Sequence, residues 1–174
     1  AYDFIDKQKL NLKNVQKAHG ILSSKLLPKS QQGLIRTNPM FVINSDDRIE
    51  YVAAPPELVK GELVKLFNDI DLLLNTDLND FEIFYYAAMI HLVFVKIHPF
   101  QDGNGRTARL LEKWFLIEKI GEKATSVQLE KNYYTRLNDY YSNIRKLGLE
   151  YEDLDYNKSL DFLLMTVSGL DEKK

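Results

Sequence analysis

From Asp80 to Ile97 the chain presents apolar residues on nearly every side of a helix; after the first turn only His91 and Lys96 bring an imidazole or a charge. A helix with no polar face has to be covered all round. Its most apolar part, Ile83 to Val95, is too short to cross a bilayer, so the cover must be protein. The segment is therefore predicted to be the central helix of a bundle. Asp80 is its expected N-cap, and Pro99 stops it, because the residue before a proline is pushed out of helical geometry.

The rest of the chain supplies what the centre needs. Leu12, Val15, Ala18 with His19, Leu22 and Leu26 mark a first amphipathic helix, ended by Pro28 and Gly33. Pro55-Pro56 opens a helix with Leu58, Val59, Leu63, Leu66, Phe67, Ile70 and Leu73 on its buried stripe. Further helices are predicted from about Arg106 to Gly121, as one element over 129–147, and over 157–167. The one stretch with period-two character, Met40 to Ile43 and Ile49 to Val52 around the polar turn at 44–48, is predicted to be a β-hairpin. An isolated hairpin is marginal in water, so it must lean on the helices or act as a flap with an unpaired edge.

This is an all-α bundle with one small hairpin at 40–52, and residues 1–174 read as a single domain without repeat or linker. A domain of this size buries roughly 70% of its unfolded surface, enough for a core without staples. With no cysteine in the chain, disulfides and thiolate metal sites are excluded. The 23 basic and 25 acidic side chains leave a net charge of −2, so no global field draws the chain to nucleic acid or to membrane lipid. The opening residues lack a signal sequence's pattern, and the expectation is a soluble, cytoplasmic protein. Any anion site must be local.

Such a site is written between His98 and Arg109: His-Pro-Phe-Gln-Asp-Gly-Asn-Gly-Arg-Thr-Ala-Arg. Gly103 and Gly105, just before a helix, let the backbone turn tightly and bare its N–H groups to an anion, aided by the positive end of the helix dipole. Asn104 is expected to add a side-chain donor to that nest. Arg106 and Arg109 share a face of the first helical turn, where cations are electrostatically misplaced unless a polyanion binds. Asp102 would repel phosphate by itself, and the resolution is a divalent metal, Mg2+, bridging its carboxylate to phosphate oxygens. His98 is the one group nearby able to accept a proton at neutral pH. A base, a metal carboxylate and an oxyanion nest suit phosphoryl or nucleotidyl transfer.

The same segment matches the signature HPFx[D/E]GNGRxxR and so resembles the Fic domain family at every specified position. Looser likenesses are Gly33 to Thr37, the hairpin and the placement of His91. The resemblance implies a Fic-type helical fold and protein adenylylation: AMP from ATP is transferred to a Tyr, Thr or Ser hydroxyl of a target protein, releasing pyrophosphate. It assigns the base to His98, Mg2+ to Asp102, the anion hole to Asn104 and Gly105 with Gly103 shaping the turn, the β- and γ-phosphate grips to Arg106 and Arg109, and an inward anchor to Phe100. It makes the hairpin a flap that docks the target's backbone, with Val42 and Ile49 near the modified side chain. Alternatives within the enzyme class are a Doc-like kinase, a phosphocholine transferase and a hydrolase that removes AMP. From another class comes a non-catalytic ATP-binding interaction module. An inhibitory helix of the pattern [S/T]xxxE[G/N] has no intact copy; Ser126 to Glu130 and Ser168 to Glu172 have its spacing, and a separate antitoxin is the other possible restraint.

Other residues have plainer readings. His91 and His19 read as satisfied core histidines, the stripe Tyr133, Tyr134, Tyr140 and Tyr141 as packing, and Asp46-Asp47 as a solvated turn. Arg36 is expected to tie down its loop, and Tyr51 stays open between packing and target contact.

Overall fold

The structure, a computed structural model, describes residues 1–44 and 46–170. Eight helices are found among the described residues: α1 (Tyr2–Ile5), α2 (Leu12–Leu22), α3 (Pro56–Leu74), α4 (Asp80–Ile97), α5 (Asn104–Ile120), α6 (Leu129–Thr135), α7 (Leu137–Arg145) and α8 (Leu160–Val167). Strands β1 (Phe41–Ile43) and β2 (Ile49–Val52) form the antiparallel hairpin. Helix α4 is the hub. It packs most extensively on α5, then on α8 and α3. Its Leu92, Phe94 and Ile97 are fully buried, as are Leu111, Trp114 and Phe115 of α5. Burying each such side chain contributes about 1.5–3 kcal/mol.

The boundaries differ from the sequence expectations where local chemistry competes with periodicity. The N-cap of α4 is Asn79, not Asp80: Asn79 accepts from the Glu82 N–H, and the Glu82 carboxylate accepts from the Asn79 N–H, a reciprocal capping box. Helix α2 stops at Leu22, where the Ser23 hydroxyl bonds back to the His19 carbonyl, and Leu26 lies beyond it, half exposed. The element expected over 129–147 is two helices that break at Arg136, whose ψ of 38° leaves helical geometry. That break turns Leu137 out of the core.

At the centre sits a buried polar network. His91 and Glu112 are fully buried, with Nδ1 2.6 Å from the carboxylate. A carboxylate can only accept, so Nδ1 donates, and Nε2 accepts from the Tyr140 hydroxyl at 3.1 Å. Tyr133 and Thr166 also donate to Glu112. The three partners of Glu112 come from α4, α6 and α8, and His91 links the network on to Tyr140 of α7, so one carboxylate on α5 and the imidazole beside it tie together five helices.

The hairpin both leans on the bundle and keeps an edge. Val52 donates to the Leu149 carbonyl at 2.9 Å, and the buried Glu50 carboxylate pairs with Arg145 of α7. Phe41 and Ile43 on β1 stand exposed beside a strand edge that is unpaired among the described residues.

Candidate active site

His98 is the C-cap of α4, held in the left-handed region at φ 52°, ψ 61°. A non-glycine residue rests there only if its surroundings fix it. Arg36 does this. Its guanidinium donates to the carbonyls of His98 at 2.6 Å, Ile97 at 3.0 Å, Ala54 at 2.6 Å and Asn38 at 2.7 Å, and its own N–H bonds the Pro99 carbonyl. The side chain is thus a cation at the negative end of the α4 dipole, and it ties the flap's trailing residue to the exit of the helix. Arg36 anchors more than its own loop. Burial first, and then the nearby Arg36 charge, pull the His98 imidazole down to about 4. The ring is therefore neutral at pH 7.

The loop that follows is cross-braced. Phe100 is fully buried and stacks on His19, with ring centres 3.8 Å apart. The Gly33 N–H donates to His19 Nδ1 at 2.9 Å, so the proton of that ring sits on Nε2, which donates to the Asp102 carbonyl at 2.8 Å. His19 is a satisfied histidine, yet its purpose is to hold the loop. Asn104 differs from expectation: its side-chain amide accepts from the Phe100 N–H and donates to the Phe100 carbonyl, both at 2.8 Å. Its side chain is thus spent inside the protein, and its backbone N–H is left without a carbonyl partner among the described residues.

Gly103 is the one loop glycine whose φ, +80°, demands glycine; a Cβ there would also stand 3.4 Å from the His19 ring. Gly105 already lies inside α5, where a Cβ would make ordinary contact with Arg109. Among the described residues, the N–H groups of Asn104, Gly105 and Arg106 find no carbonyl partner, as at any helix start. Arg106 lies 3.8 Å from the Asp102 carboxylate, a half-exposed pair worth little. Among the described residues Arg109 makes no ion pair and no side-chain hydrogen bond.

These groups line one open recess of about 510 Å³: His98, Asp102, Gly103, Asn104, Gly105, Arg106 and Arg109 all border it. All seven sequence-predicted site residues are thus brought together. Phe41 and Val42 of β1 close one side, whereas Ile49 lies on the other strand and does not border the recess. Sequence reasoning missed Leu137 and Tyr141, which also line the recess. Their signal was the helix break at Arg136, which periodicity alone does not show. A smaller apolar groove of about 330 Å³ between α3 and α4 has Asp69 as its only charged lining residue and offers no comparable chemistry.

A helical frame with one hairpin thus places an imidazole at the end of its central helix, beside helix-start N–H groups and a pair of arginines. The chain belongs to the Fic/DOC family, which matches residues 9–116. It is 34% identical over 110 residues to the protein adenylyltransferase Fic of Nematostella vectensis, covering 62% of this chain and 23% of that protein. It is 47% identical over 58 residues to the protein adenylyltransferase Fic of Aedes aegypti, covering 33% of this chain and 12% of the relative. The chain therefore spans less than a quarter of the length of these relatives. The fold is shared with a Fic family protein of Desulfovibrio desulfuricans, at a TM-score of 0.76, 20% identity and coverage of 97% and 47% of the two chains. It is also shared with the BepC protein of Bartonella tribocorum, solved with bound AMPPNP, at a TM-score of 0.65, 16% identity and coverage of 99% and 81%.

Proposed function

We propose that the chain is a protein adenylyltransferase that moves AMP from ATP to a hydroxyl side chain of a target protein. The observation that carries this reading is the meeting, in one open recess, of a neutral imidazole with helix-start N–H groups and an Arg109 that has no ion pair among the described residues. His98 Nε2 takes the hydroxyl proton as the hydroxyl oxygen bonds to the α-phosphorus. The bond from that phosphorus to the bridging oxygen breaks, and pyrophosphate leaves with the electron pair. The N–H groups at the start of α5 stabilise the charge that builds on the α-phosphate, and Arg106 and Arg109 hold the leaving phosphates. The triphosphate's own charge raises the basicity of His98 from its low resting value, which brings the base nearer to working pH.

Mg2+ fits the donor set in one way. No cluster of three metal-ligating side chains exists among the described residues, and Asp102 brings a single half-exposed carboxylate to the recess. Mg2+ is commonly held by one carboxylate plus phosphates and water, so Asp102 would hold it only together with the nucleotide. When bound there it supplies neutralisation of phosphate charge.

The target would add its backbone to the exposed edge of β1, next to Val42. Of the two inhibitory candidates, Glu130 accepts a bond from the Tyr2 hydroxyl instead of reaching Arg109. Residues 171–172 of Ser168 to Glu172 lie outside the described residues. Incubation with cell lysate and ATP labelled at the α- or the γ-phosphate tests the reading. Protein label from the α position is expected; label from the γ position alone would make the chain a kinase.

A further inference from the structure

Tyr51, on β2, is buried at 3% exposure, and its hydroxyl lies 3.1 Å from His98 Nδ1. The two rings meet edge to face with centres 5.9 Å apart. The phenol is fixed by its surroundings. Lys96 Nζ stands 4.7 Å from the Tyr51 ring centre while donating to the Gly148 carbonyl at 3.0 Å. The flanking residues of the strand, Glu50 and Val52, are tied to Arg145 and Leu149. A ring needed only for packing could be phenylalanine here; the hydroxyl is spent on the imidazole.

The tautomer decides whether His98 can act as a base. A neutral imidazole carries one N–H, and a base needs its lone pair on the nitrogen that meets the substrate. Among the described residues no side chain engages Nε2, which leaves it for the recess. For His98 to act as a base the hydrogen must reside on Nδ1, where it requires an acceptor, and the Tyr51 oxygen is in place. When the ring takes up the hydroxyl proton, both nitrogens carry hydrogen and the bond from Nδ1 to Tyr51 becomes charge-assisted.

We propose that Tyr51 is a positioning residue for the base: its hydroxyl oxygen accepts from His98 Nδ1–H and so holds the ring in the tautomer whose Nε2 lone pair faces the recess. The 3.1 Å contact stands by itself, whereas the tautomer assigned to it rests on the adenylyl-transfer reading, which makes His98 the base. Because Tyr51 pairs across the hairpin with Val42, which borders the recess, the flap that receives a target also sets the base.

The test uses the full chain with 15N-labelled histidine, the His98 resonances being assigned by their loss in His98→Ala. At neutral pH the unsubstituted protein is expected to show a protonated Nδ1 and an unprotonated Nε2. In Tyr51→Phe the Nε2–H form is expected to rise several-fold. Label transfer from α-labelled ATP should fall about tenfold, a part of the 10²- to 10⁴-fold that a positioned base supplies. The dissociation constant for ATP should stay within about twofold, since no phosphate grip is touched. An Nε2–H tautomer in the unsubstituted protein overturns the proposal and needs no variant that folds. Unchanged tautomer and unchanged transfer in Tyr51→Phe overturn it as well. If the unsubstituted chain transfers no label, the adenylyl-transfer reading fails while the spectra still decide the role of Tyr51.

Discussion

Helix α4 carries two histidines two turns apart, and they have opposite fates. His91 has both ring nitrogens consumed by protein, Nδ1 by Glu112 and Nε2 by Tyr140, in a site closed to water. His98 has Nδ1 met by Tyr51, and it borders an open recess with its backbone held in the left-handed region by Arg36. The same side chain therefore serves cohesion at one end of the helix and is left chemically unspent at the other. What separates the two is the number of partners the fold supplies. Burial lowers the basicity of both, so depth alone does not mark the functional one.

Replacing each histidine should break the pair apart. His91→Ala strips one donor from the buried Glu112 carboxylate and one acceptor from Tyr140. A cost of about 3 kcal/mol is expected. Calorimetry should then show a fall in Tm of about 6–12 °C for a chain of this length. Transfer measured well below that Tm should persist. An unchanged Tm, or transfer lost in the folded variant, would mean that His91 works in the site.

Arg109→Ala comes next in size. Because Arg109 has no ion pair or side-chain hydrogen bond among the described residues, its removal should weaken ATP binding about tenfold in calorimetric titration while Tm moves by no more than about 2 °C. A drop in Tm with unchanged affinity would make it a structural arginine.

The smallest effect is one of pH. His19, His91 and His98 are each held below the ordinary histidine value, chiefly by burial. Below the unfolded value of about 6.5 the unfolded chain binds more protons, so stability falls as pH drops from about 7 towards the His98 value of about 4. Thermal melts should lose about 5 °C between pH 7 and pH 5. A Tm that is flat or rising on acidification would show that the folded state accepts those protons without strain.

The bundle and the loop were legible in sequence for different reasons. The fold was readable because α4 has no polar face, which forces a surrounding layer of helices. The loop was readable because His98, Asp102, Gly103, Arg106 and Arg109 are contiguous, so their chemistry needs no long-range contact to be recognised. What escaped depends on residues far apart in the chain. Arg36 reaches the carbonyl of His98 across 62 positions, His19 reaches that of Asp102 across 83, and Tyr51 reaches His98 across 47. Local patterns also misplaced competing polar groups. Asn79 outcompeted Asp80 for the cap by pairing with Glu82, and the Asn104 amide turned inward to brace Phe100.

The difference between the two histidines is tested most directly by measuring ATP affinity and α-label transfer on one preparation of His98→Ala beside the unsubstituted protein. The arginines proposed to grip the phosphates lie on α5 and owe nothing to the imidazole. Affinity is therefore expected to stay within about twofold while transfer falls by at least about a hundredfold. A variant that loses both together, or that transfers label at the normal rate, would contradict the role given to His98.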